Sequence, residues 1–176
     1  FAPCKPQDRE FLASMMETVE DIPREAIMSG LPWDWEQYGE YLSSISEKPT
    51  AINVAGLVGH SAIRYYVMGD RSFADQASDE EKEQMAEIVA KSLESGAFGF
   101  STNRFEPHKA PDGRSIPGTF ADPEELAVIS KAVAQRNGLM QAVGATQDVM
   151  EAIADAGSRL LFSFGTKAEP GAGAKS

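Results

Sequence analysis

The chain is poor in the residues that most often carry chemistry. It has one cysteine, Cys4, and two histidines, His60 and His108. A single thiol closes no internal disulfide, which makes a reducing, cytoplasmic setting the expectation. His-x-His, His-Glu-x-x-His, a Gly-x-Ser-x-Gly elbow, a phosphate-binding loop and a dinucleotide fingerprint are all absent from the sequence. No apolar run nears the roughly 18 residues of a membrane span, and the first ten residues, FAPCKPQDRE, do not read as a signal peptide. Cations are outnumbered too: 16 Lys and Arg against 27 Asp and Glu leave a net charge of −11. A field of that sign argues against nucleic acid or an anionic membrane as the partner.

What is present is an ordinary globular composition. The 176 residues are 42% apolar, enough for a sizeable core in one domain. The chain begins at Phe1 rather than Met and ends in GAGAKS just after an apolar run. Both ends lead to the expectation that it is part of a longer protein.

Periodicity and capping signals lay out the elements. Asp8 precedes a helical stripe of Phe11, Leu12, Met15, Met16 and Val19. Gly30-Leu31-Pro32 breaks the chain, and Trp35, Tyr38, Leu42 and Ile45 mark a short second helix. AINVAGLVG (51–59) reads as a buried strand from its length and β-branched residues. Ser78 and Glu81 form a capping-box pattern opening a helix that ends at Gly96. AFGFS (97–101) is the next strand. Asp122-Pro123-Glu124-Glu125 is another helix start, ended by Asn137-Gly138. GLMQAVG (138–144), a helix around Val149, Met150 and Ile153, and RLLFSFG (159–165) complete the series.

From residue 51 the order is strand, helix, strand, helix, strand, helix, strand, which implies a parallel sheet with right-handed crossovers. The helix-to-strand links are only one or two residues. The first two strand-to-helix links are long, roughly residues 60–77 and 103–121. A (β/α)8 barrel keeps its active site in such loops at the strand carboxyl ends. A doubly wound sheet shares that bias, but no glycine-rich fingerprint follows a strand, and four strands alone would leave two apolar edges bare. The expected fold is therefore α/β, a partial TIM barrel of about four parallel strands. Residues 1–176 are expected to be a segment of one TIM-barrel catalytic domain, 1–50 as a helical excursion after an early strand and 51–176 as consecutive βα units.

On that frame His60 and Arg64 follow the first strand. Ser101, Thr102 and Arg104 end the second, and His108 lies in its loop. His60 has the chemistry of a metal ligand, a general base or a substrate hydrogen-bond donor, and equally that of a histidine that fixes a loop. Arg64 suits a carboxylate clamp or a structural ion pair. Ser101 and Thr102 suit substrate hydrogen bonding or simple strand termination. Two isolated histidines and one cysteine do not by their spacing build a closed metal site.

Several stretches together resemble a known family: FAPCKPQDREFLASMMETVEDIP (1–23), GLPWDWEQYGEYL (30–42), INVAGLVGHSAIRYYVMG (52–69), ESGAFGFSTNR (94–104) and DGRSIPGTFADPEEL (112–126). They are similar to the N-acyl-D-amino-acid deacylases, or D-aminoacylases, of the amidohydrolase family, over nearly the whole chain to about residue 143. The ordered set VEDIP, GLPW-x-W, VGH-x-x-(I/L)R and GFST is specific, whereas any one of them is weak. The resemblance implies a metal-dependent TIM-barrel hydrolase with a small β-sandwich. It implies hydrolysis of the amide of N-acyl-D-amino acids, zinc-activated water and an aspartate base on a late strand.

The resemblance places the family's His-x-His and its metal-binding Asn-Cys-Gly turn before Phe1, so Cys4 is not that ligand. It places the catalytic aspartate beyond Ser176. The family's later histidine ligands have no match, because the third strand reads LMQAVGA and the fourth LLFSFGT. His60, Arg64, Ser101 and Thr102 match positions lining the barrel mouth. With Arg104 and His108 they are the expected substrate-binding residues, Arg64 as a holder of the substrate carboxylate. Zinc is expected in the intact protein and none is expected on this segment alone. The expected partners are a small N-acylated amino acid and the remainder of the barrel. The competing expectation is a non-catalytic α/β protein, derived from an amidohydrolase, that binds a ligand or a partner.

Overall fold

A computed structural model describes residues 1–163. Seven α-helices and four strands lie within them: α1 (Arg9–Glu20), α2 (Arg24–Gly30), α3 (Tyr38–Ser46), β1 (Leu57–Gly59), α4 (His60–Met68), α5 (Asp79–Glu94), β2 (Gly99–Asn103), α6 (Pro123–Ala134), β3 (Leu139–Val143), α7 (Gln147–Asp155) and β4 (Arg159–Ser163).

All three strand pairings are parallel, and the sheet order is β1-β2-β3-β4. A doubly wound sheet reverses direction at a switch point. Here each strand lies beside its successor, as along the arc of a barrel wall. Close packing of β2 on β3 depends on a glycine. A Cβ on Gly99 would stand 2.0 Å from the Leu139 carbonyl oxygen.

Local chemistry accounts for the helix starts. At α5, the Ser78 hydroxyl accepts the Glu81 amide while the Glu81 carboxylate accepts the Ser78 amide. At α6, Asp122 accepts from the Glu125 amide and Pro123 stands in the first turn. α3 opens on a reciprocal pair of Gln37 and Glu40. The Asp8 side chain makes no cap bond; Asp8 instead ends a short 3-10 turn, Pro6–Asp8, that runs into α1.

One face of the sheet is the core. Val58, Phe100, Thr102, Met140 and Ala142 are all fully buried, packed with Ile63 of α4, Met85 and Val89 of α5, Leu126 and Ile129 of α6, and Val149 of α7. The opposite face carries Ser101, Asn103, Gln141 and Val143, which are only half-buried, and Leu161, which is 49% exposed. Strand alternation assigns these two sets to opposite sides.

The structure shifts several expected boundaries. The strand read over 51–59 is ordered as a strand only at Leu57–Gly59, and Ile52 and Val54 are exposed. The second strand moves from 97–101 to Gly99–Asn103, which brings Thr102 and Asn103 inside it. Residues 164 and 165 of the fourth strand lie outside the described residues. Residues 60–77, expected as a loop, open directly with α4. That segment, HSAIRYYVM, carries β-branched and aromatic residues, and Gly59 caps it without a side chain. Its helicity comes from burying Ala62, Ile63 and Met68 rather than from propensity. The seven-residue α2 was likewise without a sequence signal beyond its stop at Gly30.

Candidate functional site

The carboxyl ends of β1 and β2 bring the expected residues to one end of the sheet, but in two separate layers. Ser101 and Thr102 are neighbours in sequence and therefore face opposite ways. Thr102 turns toward the helices and is fully buried. Ser101 turns to the open face, where its hydroxyl donates to Gln141 Oε1 at 3.0 Å. Gln141 in turn reaches Ser163 Oγ at 3.5 Å.

Behind the sheet lies a buried polar network. His60, the first residue of α4, has Nδ1 2.9 Å from Thr102 Oγ1 and Nε2 2.6 Å from Glu125 Oε1. Arg64, one turn on, directs Nε to Glu125 Oε1 at 3.1 Å and to Oε2 at 3.3 Å. Its remaining guanidinium nitrogens donate to the carbonyls of Ser72 and Asp75. All four residues are at most 2% exposed. Burial works to raise the Glu125 pKa, but the His60 hydrogen bond and the charges of His60 and Arg64 outweigh it. The carboxyl stays below its ordinary value. Glu125 is thus the anion of the network, and His60 donates to it through Nε2.

Gly118 covers the other side of His60. Its φ is +93° and a Cβ there would lie 2.6 Å from His60 Nδ1. The loop that carries Gly118 is tied down at two further points. Ser61 donates to the Pro117 carbonyl at 2.8 Å, and Arg104 donates to the Ala121 carbonyl at 2.7 Å. Burial lowers the Arg104 pKa from its usual value, opposed by the charges of Asp148 and Glu125.

On the open face, Asn103 lies at the end of β2 with its Nδ2 2.6 Å from His108 Nδ1. A cavity of about 150 Å³ sits beside it, lined in part by Gly59, His60, Ser61, Ser101, Asn103 and Ile116. A larger recess of about 460 Å³ between α3 and α5 contains none of these strand-end residues. The smaller cavity is the relevant one, because ligand chemistry in parallel α/β folds concentrates at strand carboxyl ends.

The six expected residues thus separate. His60, Arg64 and Thr102 belong to the buried network, where Arg64 has every guanidinium nitrogen engaged by the protein. Ser101 and His108 lie on the open face, and Arg104 ties the loop between the two. Glu125 was legible in the sequence only as a helix-start residue, since it lies 61 residues from Arg64 and 65 from His60. Asn103, which the sequence places just past the second strand, and Gln141, within the third, carried no further signal.

The sequence compares with known proteins as follows. No family model matches the chain. It is 30% identical to a D-aminoacylase of Alcaligenes xylosoxydans xylosoxydans over 73% of its own length and 24% of the relative. It is 31% identical to an N-acyl-D-aspartate deacylase of the same organism, over 69% of this chain and 22% of that one. An uncharacterised protein of Mycobacterium tuberculosis matches at 32% over 75% of the chain and 23% of that protein. Among solved structures, the N-acyl-D-glutamate deacylase of Bordetella bronchiseptica, complexed with zinc and a phosphonate inhibitor, superposes with a TM-score of 0.54 at 25% identity. That match covers 70% of this chain and 25% of the other.

The described residues do not by themselves fit a zinc ion. No three His, Cys, Asp or Glu side chains converge among the described residues. Cys4 is buried in the core, its thiol pKa pushed up by burial, and its sulfur donates to the Lys5 carbonyl. With its four parallel strands in sequence order, the chain is a D-aminoacylase-like segment of an amidohydrolase TIM-barrel fold, spanning about a quarter of the length of the deacylases it matches.

Proposed function

We propose that the protein is a hydrolase of the amide bond of N-acyl-D-amino acids, and that this chain forms part of the barrel wall and mouth. The supporting observation is the 30% identity to a D-aminoacylase over 73% of the chain, a match too long to come from one motif. Residues 1–176 form one segment of a single catalytic barrel domain, with 1–50 as its helical excursion and 51–176 as its βα units. Zinc, as in the Bordetella relative, belongs to the intact protein and is held by residues other than the described ones.

Within this reading the open-face residues Ser101 and His108 meet the substrate, an N-acylated amino acid. His60, Arg64 and Thr102 support the mouth from behind, and Arg104 anchors the loop over it. The intact protein should contain bound zinc by elemental analysis and should release the free D-amino acid from an N-acetyl-D-amino acid, leaving the L-isomer untouched. A metal-free protein without that activity sinks the reading.

One observation favours a second reading, a non-catalytic ligand-binding descendant. The open faces of β3 and β4 carry Gln141 and Ser163, and amide and hydroxyl groups are weak ligands for zinc. Saturable binding of an N-acyl-D-amino acid without turnover would select it.

A further inference from the structure

The Phe105 N–H donates to Asn103 Oδ1 at 2.8 Å, which fixes which end of the Asn103 amide is oxygen. The NH2 end therefore faces His108, with Nδ2 2.6 Å from Nδ1. An amide NH2 only donates, so Nδ1 must accept and carries no proton. The neutral imidazole then holds its proton on Nε2. The ring is steadied edge-on against Phe105, with centroids 5.1 Å apart. Nε2 makes no hydrogen bond among the described residues.

In a chain of net charge −11, residues 104–114 hold three cations, Arg104, Lys109 and Arg114, against two acids, Glu106 and Asp112. Arg114 is paired with Asp112 and Asp70, which leaves Arg104 and Lys109 as the cations of this segment without a carboxylate in ion-pair range among the described residues. Asn103 itself lies on the open face of the sheet and lines the cavity at the strand ends. We propose that Asn103 is a positioning residue that presents the Nε2–H of His108 as a hydrogen-bond donor to the carboxylate of an N-acyl amino acid bound at the mouth of the barrel. This inference rests on the deacylase reading for the identity of the ligand, but not for the tautomer.

The tautomer is tested by 15N NMR of the intact protein labelled at histidine, with His108 assigned from the His108→Gln variant. His108 is expected to be protonated at Nε2. Asn103→Asp is nearly isosteric and can still accept the Phe105 amide. Its second oxygen accepts a proton from Nδ1, so this variant should move the proton to Nδ1. Wild-type protein protonated at Nδ1, or an Asn103→Asp variant that leaves the tautomer unchanged, overturns the positioning role.

The donor role is tested with N-acetyl-D-amino acids. Loss of a hydrogen bond to a carboxylate weakens binding by roughly ten- to a hundredfold. His108→Ala should raise KM by about that factor while kcat moves much less. His108→Gln, which places an amide N–H near the same point, should recover most of the loss. Equal KM values for the Ala and Gln variants overturn the role. So does a His108 Nε2 resonance that does not shift under saturating N-acetyl-D-amino acid, whether or not the amide is cleaved. Absence of turnover alone sinks the deacylase reading and leaves the tautomer result standing.

Discussion

His60 Nε2 stands 2.6 Å from Glu125 Oε1, although 65 residues separate them in the chain. The contact joins the first residue of α4 to the first turn of α6 beneath the end of β2. Both side chains are essentially inaccessible to water. A buried ion network of this kind holds its parts in register, because each group left without its partner carries the full cost of desolvation.

Removing the central anion should therefore be expensive. Glu125→Leu leaves Arg64 and His60 without their acceptor and is expected to lower stability by about 3–5 kcal/mol. Urea unfolding of the protein measures it. A loss below about 1 kcal/mol would show that the network contributes little.

The same carboxyl gives a pH dependence. Its pKa in the folded protein lies below its ordinary value of 4.5. The unfolded chain then binds the proton more readily, so stability rises with pH through this range. The contribution of Glu125 is fully present above the unfolded value and is lost as pH falls through the folded one. Stability curves of wild type and Glu125→Gln should differ at pH 6–7 and draw together as pH falls below the ordinary carboxylate value and through the lower folded one. Parallel curves down to the acid limit would contradict this.

Thr102 and Ser101 offer a paired test of the two faces. Thr102→Val keeps the shape but leaves His60 Nδ1 without its partner, at a cost of about 1–3 kcal/mol. Ser101→Ala removes a half-buried hydrogen bond to Gln141 and should cost below about 1 kcal/mol. Thermal denaturation of both variants measures the difference, and equal losses would refute the assignment of Thr102 to the helix side.

Gly118 is constrained twice, by its positive φ and by the His60 ring. Gly118→Ala is expected to cost about 1–3 kcal/mol. Because the added methyl meets His60 rather than solvent, the variant should also perturb the His60 ring resonances. An unchanged melting temperature would show that the loop shifts freely.

Some of this was legible locally. Ser78 with Glu81 and Asp122 with Glu125 named their helix starts correctly, because capping is chemistry between residues three apart. The four strands were visible as short apolar runs, and their alternation with helices gave the parallel sheet. α4 was hidden, since its sequence is a poor helix former with no capping side chain, and burial against β2 and α5 makes it a helix.

The Glu125 case marks the limit most sharply. Glu at the third position after Asp122 reads as a capping-box residue that turns back to its own helix end. In the structure its amide does take the Asp122 cap, but its carboxylate turns inward to His60 and Arg64. By itself the sequence determined the order of elements, the alternation of strands with helices, and the acidic balance of the chain. Only the tertiary structure decided which face is core, that His60, Arg64 and Glu125 meet, and that Asn103 governs His108. Caps and periodicity act over a few residues, whereas a buried charge finds its partner through the packing of elements that the chain order leaves far apart.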